Sequence, residues 1–230
     1  MQNLDSAQPL RPTQHVEKFL VTSILDGTYP PGATLPNERS LAKKLGITRP
    51  TLRETLQRLA AEGWVSIHHG KPTVVNDCWQ AGGLSLLGTL AKYGDFLPNG
   101  FITHLLEVRL TMLPVVAGLA ATYQPDIILN FLSGADALDE DVEVFSNYDW
   151  DLQMLMARNS QNPVFALILN DFASIFNAMG RRYFSRTHAR QASLRYYREL
   201  SNTIKSGSRQ GIERVVKRAM RQSITIWQER

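Results

Sequence analysis

Asn37-Glu38-Arg39-Ser40-Leu41-Ala42-Lys43-Lys44-Leu45-Gly46-Ile47-Thr48-Arg49-Pro50-Thr51-Leu52-Arg53-Glu54 is the stretch on which the fold turns. Leu41, Ala42 and Leu45 repeat at helical spacing, with Asn37 placed to cap the helix start and Gly46 to end it. Only Gly46-Ile47-Thr48 separates this helix from the next. Thr48 can cap the second helix, and Pro50 is tolerated in its first turn, where a backbone N–H would have no partner. Leu52, Leu56 and Leu59 form the buried stripe, and Gly63 closes it. Two short helices joined by a three-residue turn containing Gly predict a helix-turn-helix.

Outward from this motif the signals agree. Trp64 to His68 reads as a strand, His69-Gly70-Lys71-Pro72 as a tight turn, and Thr73-Val74-Val75 as the returning strand, which adds a wing. On the N-terminal side, His15 to Leu25 sets Val16, Phe19, Leu20 and Ile24 on one helical face, and Asp26-Gly27 with Pro30-Pro31-Gly32 turns the chain. Cys78 to Gly83 lacks periodicity and reads as a linker over 77–83. Beyond it no strand pattern occurs. Helical patterns run over 84–93, 101–123, 125–138, 142–159, 163–180, 187–205 and 210–228. The expectation is a mainly α chain: a winged helix-turn-helix with a small β-hairpin over 1–76, then an all-α bundle of about seven helices over 84–230.

Charge locates the chemistry. Between Pro36 and Pro72 stand Arg39, Lys43, Lys44, Arg49, Arg53, Arg58 and Lys71 against the acids Glu38, Glu54 and Glu62. A basic run alone reads as a solvated face. Here, however, Arg49, Thr51 and Arg53 face away from the Leu stripe at a helix N-terminus, with Thr48 before them and Arg39 on the preceding helix. Free N–H groups and the dipole at such a terminus favour phosphate, and arginine matches guanine O6 and N7 with two hydrogen bonds. At the wing tip, His69, Gly70 and Lys71 suit entry into a minor groove. These groups predict binding to double-stranded DNA.

Other classes find no support. With 43% hydrophobic and 20% charged residues, the chain has the apolar material for packed cores. One cysteine, Cys78, excludes an internal disulfide framework and any multi-cysteine zinc site, and fits a reducing cytoplasm. Met1 to Pro12 lacks the pattern of a signal peptide, and the apolar runs are interrupted by Arg109, Pro114 or Asp171, so a cytoplasmic protein without membrane spans is expected. No Gly-x-Ser-x-Gly elbow, phosphate loop or His-Glu-x-x-His motif is present, and His104 and His188 are isolated, which argues against an enzyme. The acidic stretch from Asp136 to Glu143 lacks the glycine-bearing spacing of a calcium loop and reads as a solvated interhelical loop.

The runs Tyr29-Pro30-Pro31-Gly32-Ala33-Thr34-Leu35-Pro36, Leu45-Gly46-Ile47-Thr48-Arg49-Pro50-Thr51-Leu52-Arg53-Glu54 and Glu62-Gly63-Trp64-Val65 resemble the GntR family of bacterial regulators. Gln57-Arg58-Leu59-Ala60 and His69-Gly70-Lys71-Pro72-Thr73 are similar to its FadR subfamily. The likeness is dense from Pro30 to Asn76 and thinner beyond, at Arg109, Asn162-Pro163, Gly180-Arg181-Arg182-Tyr183-Phe184 and Ile226-Trp227. It implies a homodimer on a palindromic operator. Arg39, Thr48, Arg49, Thr51 and Arg53 stand where the family's DNA contacts stand, as do His69, Gly70 and Lys71. Pro50 departs from a threonine in the FadR pattern and removes a hydroxyl and an N–H donor.

For the helical half the resemblance implies a long-chain fatty acyl-CoA effector that releases the regulator of fatty acid metabolism from DNA, with Arg109, Tyr183, Ser223 and Trp227 at ligand positions and no cofactor. Arg109 interrupts an apolar helical face and requires an anion, either a CoA phosphate or an acid of the chain such as Asp149 or Glu107. Ala219 and Met220 replace a tyrosine and a glycine of the subfamily, and the chain stops three residues after Trp227, short of a basic tail. Metal-binding relatives imply a second effector reading, in which Asp149 matches the metal-binding Asp. There Gln153, Tyr197 and Ala219 fall where histidines are expected, and none replaces imidazole well. The remaining readings are a different small organic acid, or no effector and a helical half serving only dimerisation.

Overall fold

The computed structural model describes residues 11–229. They form eleven α-helices and one two-stranded sheet, arranged as two compact units that divide between Leu97 and Pro98.

The first unit opens with α1 (Pro12–Leu25), α2 (Glu38–Leu45) and α3 (Arg49–Ala61). The local signals act as their chemistry requires. The Asn37 side chain accepts from Ser40 N at 2.9 Å, and Gly46 ends α2 in the left-handed conformation at φ 66°. Val16, Leu20, Leu41, Leu52 and Leu59 are each no more than 1% exposed and form a common core with Trp64. The hairpin is shorter than expected: β1 (Val65–Ser66) pairs antiparallel with β2 (Val74–Val75), Val65 opposite Val75. Its far side is covered by a segment read from the sequence only as a turn. Thr34 bridges Val74, and Leu35 N donates to Thr73 O at 2.9 Å.

The compact units divide later in the chain than the linker expected over 77–83. The stretch read as a linker contains the short helix α4 (Cys78–Ala81), and α5 (Leu86–Leu90) with the 3-10 turn Ala91–Phe96 packs in the first unit, not in the helical bundle. Two acids hold it there. Glu17 on α1, 3% exposed, accepts from Lys92 Nζ at 2.8 Å and Tyr93 OH at 3.1 Å, and also from Arg58 on α3 at 2.6 Å. Glu62 accepts from Thr89 Oγ1 at 2.7 Å and from Trp64 Nε1 at 3.0 Å.

The second unit contains α6 (Phe101–Tyr123), α7 (Pro125–Leu132), α8 (Val142–Arg158), α9 (Pro163–Phe184), α10 (Thr187–Lys205) and α11 (Arg209–Gln228). The bundle therefore has six α-helices, because the seventh pattern, over 84–93, joined the first unit. Arg109, Pro114 and Asp171 were expected to keep the apolar runs too short to cross a membrane, but two helices are long and apolar enough. By length and composition α6 and α9 could each span a membrane, yet each turns a face into the bundle, burying Leu113 and Val116 on one and Leu169 and Phe172 on the other. Helices α8 and α9 approach closely at Gly180, where an added Cβ would collide with Ser146 Oγ. The acidic loop is not merely solvated: Asp136 pairs with Arg198, Glu140 with Arg190, and Asp141 caps α8 through Glu143 N and Val144 N.

Candidate functional site

The first unit presents a basic head. Thr48 caps α3, its hydroxyl accepting from Thr51 N at 3.4 Å and lying 2.9 Å from Thr51 Oγ1, so the two hydroxyls satisfy one another. Arg49 and Arg53 point outward, with 62% and 65% of their side chains exposed. Both pair with Glu38 on α2, Arg49 Nη2 at 3.6 Å and Arg53 Nε at 3.2 Å. That carboxylate holds the guanidiniums side by side, and the pairs are open to water, where such bridges are weak. Arg39, Thr48, His69 and Lys71 are exposed and Thr51 is half-buried. Gly70 at the wing tip has φ 69°, a conformation that a side chain would strain. Pro50 lies in the first turn of α3, so its missing N–H leaves no helical bond unmade.

The second unit holds a cavity, in part open to solvent, walled by α6, α8, α9, α10 and α11. Its surface is mostly apolar, from Leu105 and Leu106 on α6 to Phe172 and Phe176 on α9. Arg109, Tyr183, Ser223 and Trp227, separated by up to 118 positions in the chain, all line it. Ala219 and Met220 line it as well, so the methionine shapes the wall without closing the space. Basic groups hold the end of α11: Arg182 lies over the Trp227 indole at 5.2 Å, and Arg186 donates to the Ile226 and Glu229 carbonyls. Trp150, stacked on Phe176 at 4.7 Å, and Tyr196 also face the cavity. Neither stood out in the sequence, where an aromatic at helical spacing is indistinguishable from ordinary core.

One polar cluster interrupts this wall. The Arg109 guanidinium faces Asp149, Nη2 to Oδ2 3.6 Å, with both side chains nearly buried at 12% and 10% exposed. Of the two partners weighed for Arg109 within the chain, the fold selects Asp149. Tyr197 OH donates to Asp149 Oδ1 at 3.0 Å, and Gln153 Nε2 donates to Oδ2 at 2.7 Å. Burial drives the Asp149 carboxyl above the usual carboxylate range, outweighing the opposite pull of Arg109, Tyr197 and Gln153. Burial first, and the nearby Asp149 charge second, push the Tyr183 phenol above its ordinary value.

Residues 12–75 match the family described as bacterial regulatory proteins, gntR family, and residues 76–230 match the FadR C-terminal domain. The chain belongs to the GntR family and carries a FadR-type C-terminal domain. It is a transcriptional regulator and not an enzyme. It is 36% identical over 221 residues to the fatty acid metabolism regulator protein of Shewanella frigidimarina, covering 95% of this chain and 91% of that one. To the protein of the same name from Shewanella oneidensis it is 42% identical over 192 residues, 82% of this chain and 79% of that one. A solved structure described as "Lar controls the expression of the Listeria monocytogenes agr system and mediates virulence" shares the fold at TM-score 0.59 and 19% identity, over 95% of this chain and 97% of that one.

Family membership makes the metal reading testable on the cluster itself. Asp149 is present, but Gln153 and Tyr197 spend their donors on its carboxylate, and Ala219 offers no ligand atom. This set does not suit a divalent metal that selects imidazole and carboxylate. The cluster is organised instead around an arginine.

Proposed function

We propose that this regulator binds a palindromic operator as a homodimer and is released from it by a long-chain acyl-CoA held in the cavity of its second unit. Its target process is then fatty acid metabolism. The observation that carries the reading is the convergence of Arg109, Tyr183, Ser223 and Trp227 on one largely apolar cavity. Apolar walls stabilise an alkyl chain by about 0.8 kcal/mol per buried CH₂, and the few polar groups fix its orientation. Names of the curated relatives support the same process.

On the DNA side, Arg49 and Arg53 would leave Glu38 for base edges or phosphates, and Lys71 on the wing would meet the backbone. Linkage does the rest. A ligand that prefers the DNA-incompetent arrangement weakens DNA affinity by the same factor by which DNA weakens ligand affinity. The test is fluorescence anisotropy of a labelled operator, selected from a random duplex pool, titrated with oleoyl-CoA. Release at micromolar ligand is expected. Unchanged anisotropy across that range overturns the acyl-CoA reading and leaves a regulator with another effector or none.

A further inference from the structure

The Arg109–Asp149 pair is held apart. At 3.6 Å the nearest nitrogen and oxygen lie outside hydrogen-bond reach, although both side chains are nearly buried and a guanidinium and a carboxylate can form a two-pronged pair. Both carboxylate oxygens accept hydrogen bonds from elsewhere, Oδ1 from Tyr197 OH and Oδ2 from Gln153 Nε2, and these fix how the carboxylate is turned. Gln153 acts on the arginine too, since Arg109 Nε donates to Gln153 Oε1 at 3.2 Å. Phe176 lies against the guanidinium at 5.2 Å. Among the described residues the Nη groups make no hydrogen bond, yet Arg109 lines the cavity.

We propose that Gln153 is a positioning residue for effector binding: it turns the Arg109 guanidinium and, with Tyr197, holds the Asp149 carboxylate in its present orientation, leaving the Arg109 Nη donors for an oxygen of the ligand. This rests on the reading of the cavity as the effector site. An amide suits the task because it offers an acceptor to the cation and a donor to the anion at once. Its orientation is settled by these neighbours, since a flipped amide would set NH₂ against the Arg109 Nε–H and oxygen against a carboxylate. A glutamate could not donate, and a leucine could do neither. Gln153 is 2% exposed and is not part of the cavity lining, so it acts through Arg109 and not by touching ligand. The ligand group it prepares for is an oxygen acceptor, such as a carbonyl or phosphate oxygen, which guanidinium N–H groups hold well against an apolar wall.

Without Gln153, Asp149 is free to close on Arg109 and consume those donors. The full-length wild type, Gln153→Leu, Arg109→Met and the double variant are titrated with oleoyl-CoA by calorimetry, with thermal unfolding of the same samples and Gln153→Met as a second variant should the leucine not fold. Gln153→Leu is expected to weaken binding about tenfold in the wild-type background and to add nothing once Arg109 is methionine. An equal loss in both backgrounds, or none in either, overturns the role of Gln153 while the cavity still binds. An absence of binding by the wild type overturns the effector reading together with this one.

Discussion

Arg58, in the last turn of α3, donates to Glu17 on α1 at 2.6 Å, and the Glu17 side chain is only 4% exposed. The same carboxylate receives Lys92 and Tyr93, so a single acid joins the first helix, α3 and the segment that leads toward the second unit. Its cations are half in water, 42% of Arg58 and 57% of Lys92 exposed, and they survive its loss better than a sealed pair would. Glu17→Ala is expected to destabilise the first unit by about 1–3 kcal/mol, and Glu17→Gln by less. Urea unfolding followed by circular dichroism measures both. An unchanged midpoint would mean the three donors are equally well served by water.

The reading head makes a separate claim. Arg49→Ala is expected to cost about 1–3 kcal/mol of operator affinity and to relax sequence preference, because a base-edge contact is lost. Lys71→Ala should weaken all duplexes alike and reduce the salt slope by about one, the signature of a lost phosphate contact. Glu38→Ala releases both arginines from their carboxylate and should tighten binding to random duplex. Gel shifts over a series of salt concentrations distinguish the three behaviours.

Packing of α8 on α9 rests on the absence of a side chain at Gly180. Gly180→Ala would drive a methyl group into Ser146 Oγ and is expected to lower stability by about 1–3 kcal/mol. Ser146→Ala removes the obstructing oxygen, and the remaining Cβ would stand 3.5 Å away, in ordinary contact. The double variant should therefore recover most of the loss. A thermal-shift comparison of the two proteins decides it.

Four phenols make the second unit sensitive to alkali, and three of them, Tyr183, Tyr196 and Tyr197, feel the Asp149 charge. Burial pushes Tyr148 up to about 12, with the Asp136 charge adding to the shift, and raises Tyr183, Tyr196 and Tyr197 further. The folded state then holds these protons when an unfolded chain has released them, so unfolding gains as pH rises. Stability is complete below about pH 10, where a free tyrosine ionises, and falls from there through about pH 12. Denaturation midpoints from pH 9 to 12, with phenolate absorbance at 295 nm, should show ionisation coinciding with unfolding. A phenolate signal from all seven tyrosines in protein that is still folded would contradict the burial of these groups.

Legibility divided along a physical line. The ends of α2 and α3, the whole span of α6 and the start of α10 at Thr187 were readable, because caps, prolines and apolar spacing act over three or four residues. The hairpin was readable from Gly70 and the runs beside it, though the pairing of 32–35 onto Val74 was not. Arg109 could be recognised as needing an anion, but Asp149 and Glu107 were equal candidates until the bundle closed. Gln153 and Tyr197 attracted notice only as poor metal ligands.

The sequence by itself determined a winged reading head with its arginines at a helix start, and a long helical partner domain. Tertiary structure alone decided that 84–97 belongs with the reading head, through Glu17 to Lys92 and Tyr93 across 75 and 76 positions. It alone placed Gln153 between Arg109 and Asp149, bonds reaching back 44 and 4 positions. A helix is chosen by neighbours in the chain, whereas a buried charge takes whichever partner the packed core brings within a few ångströms, and spacing carries no record of that choice.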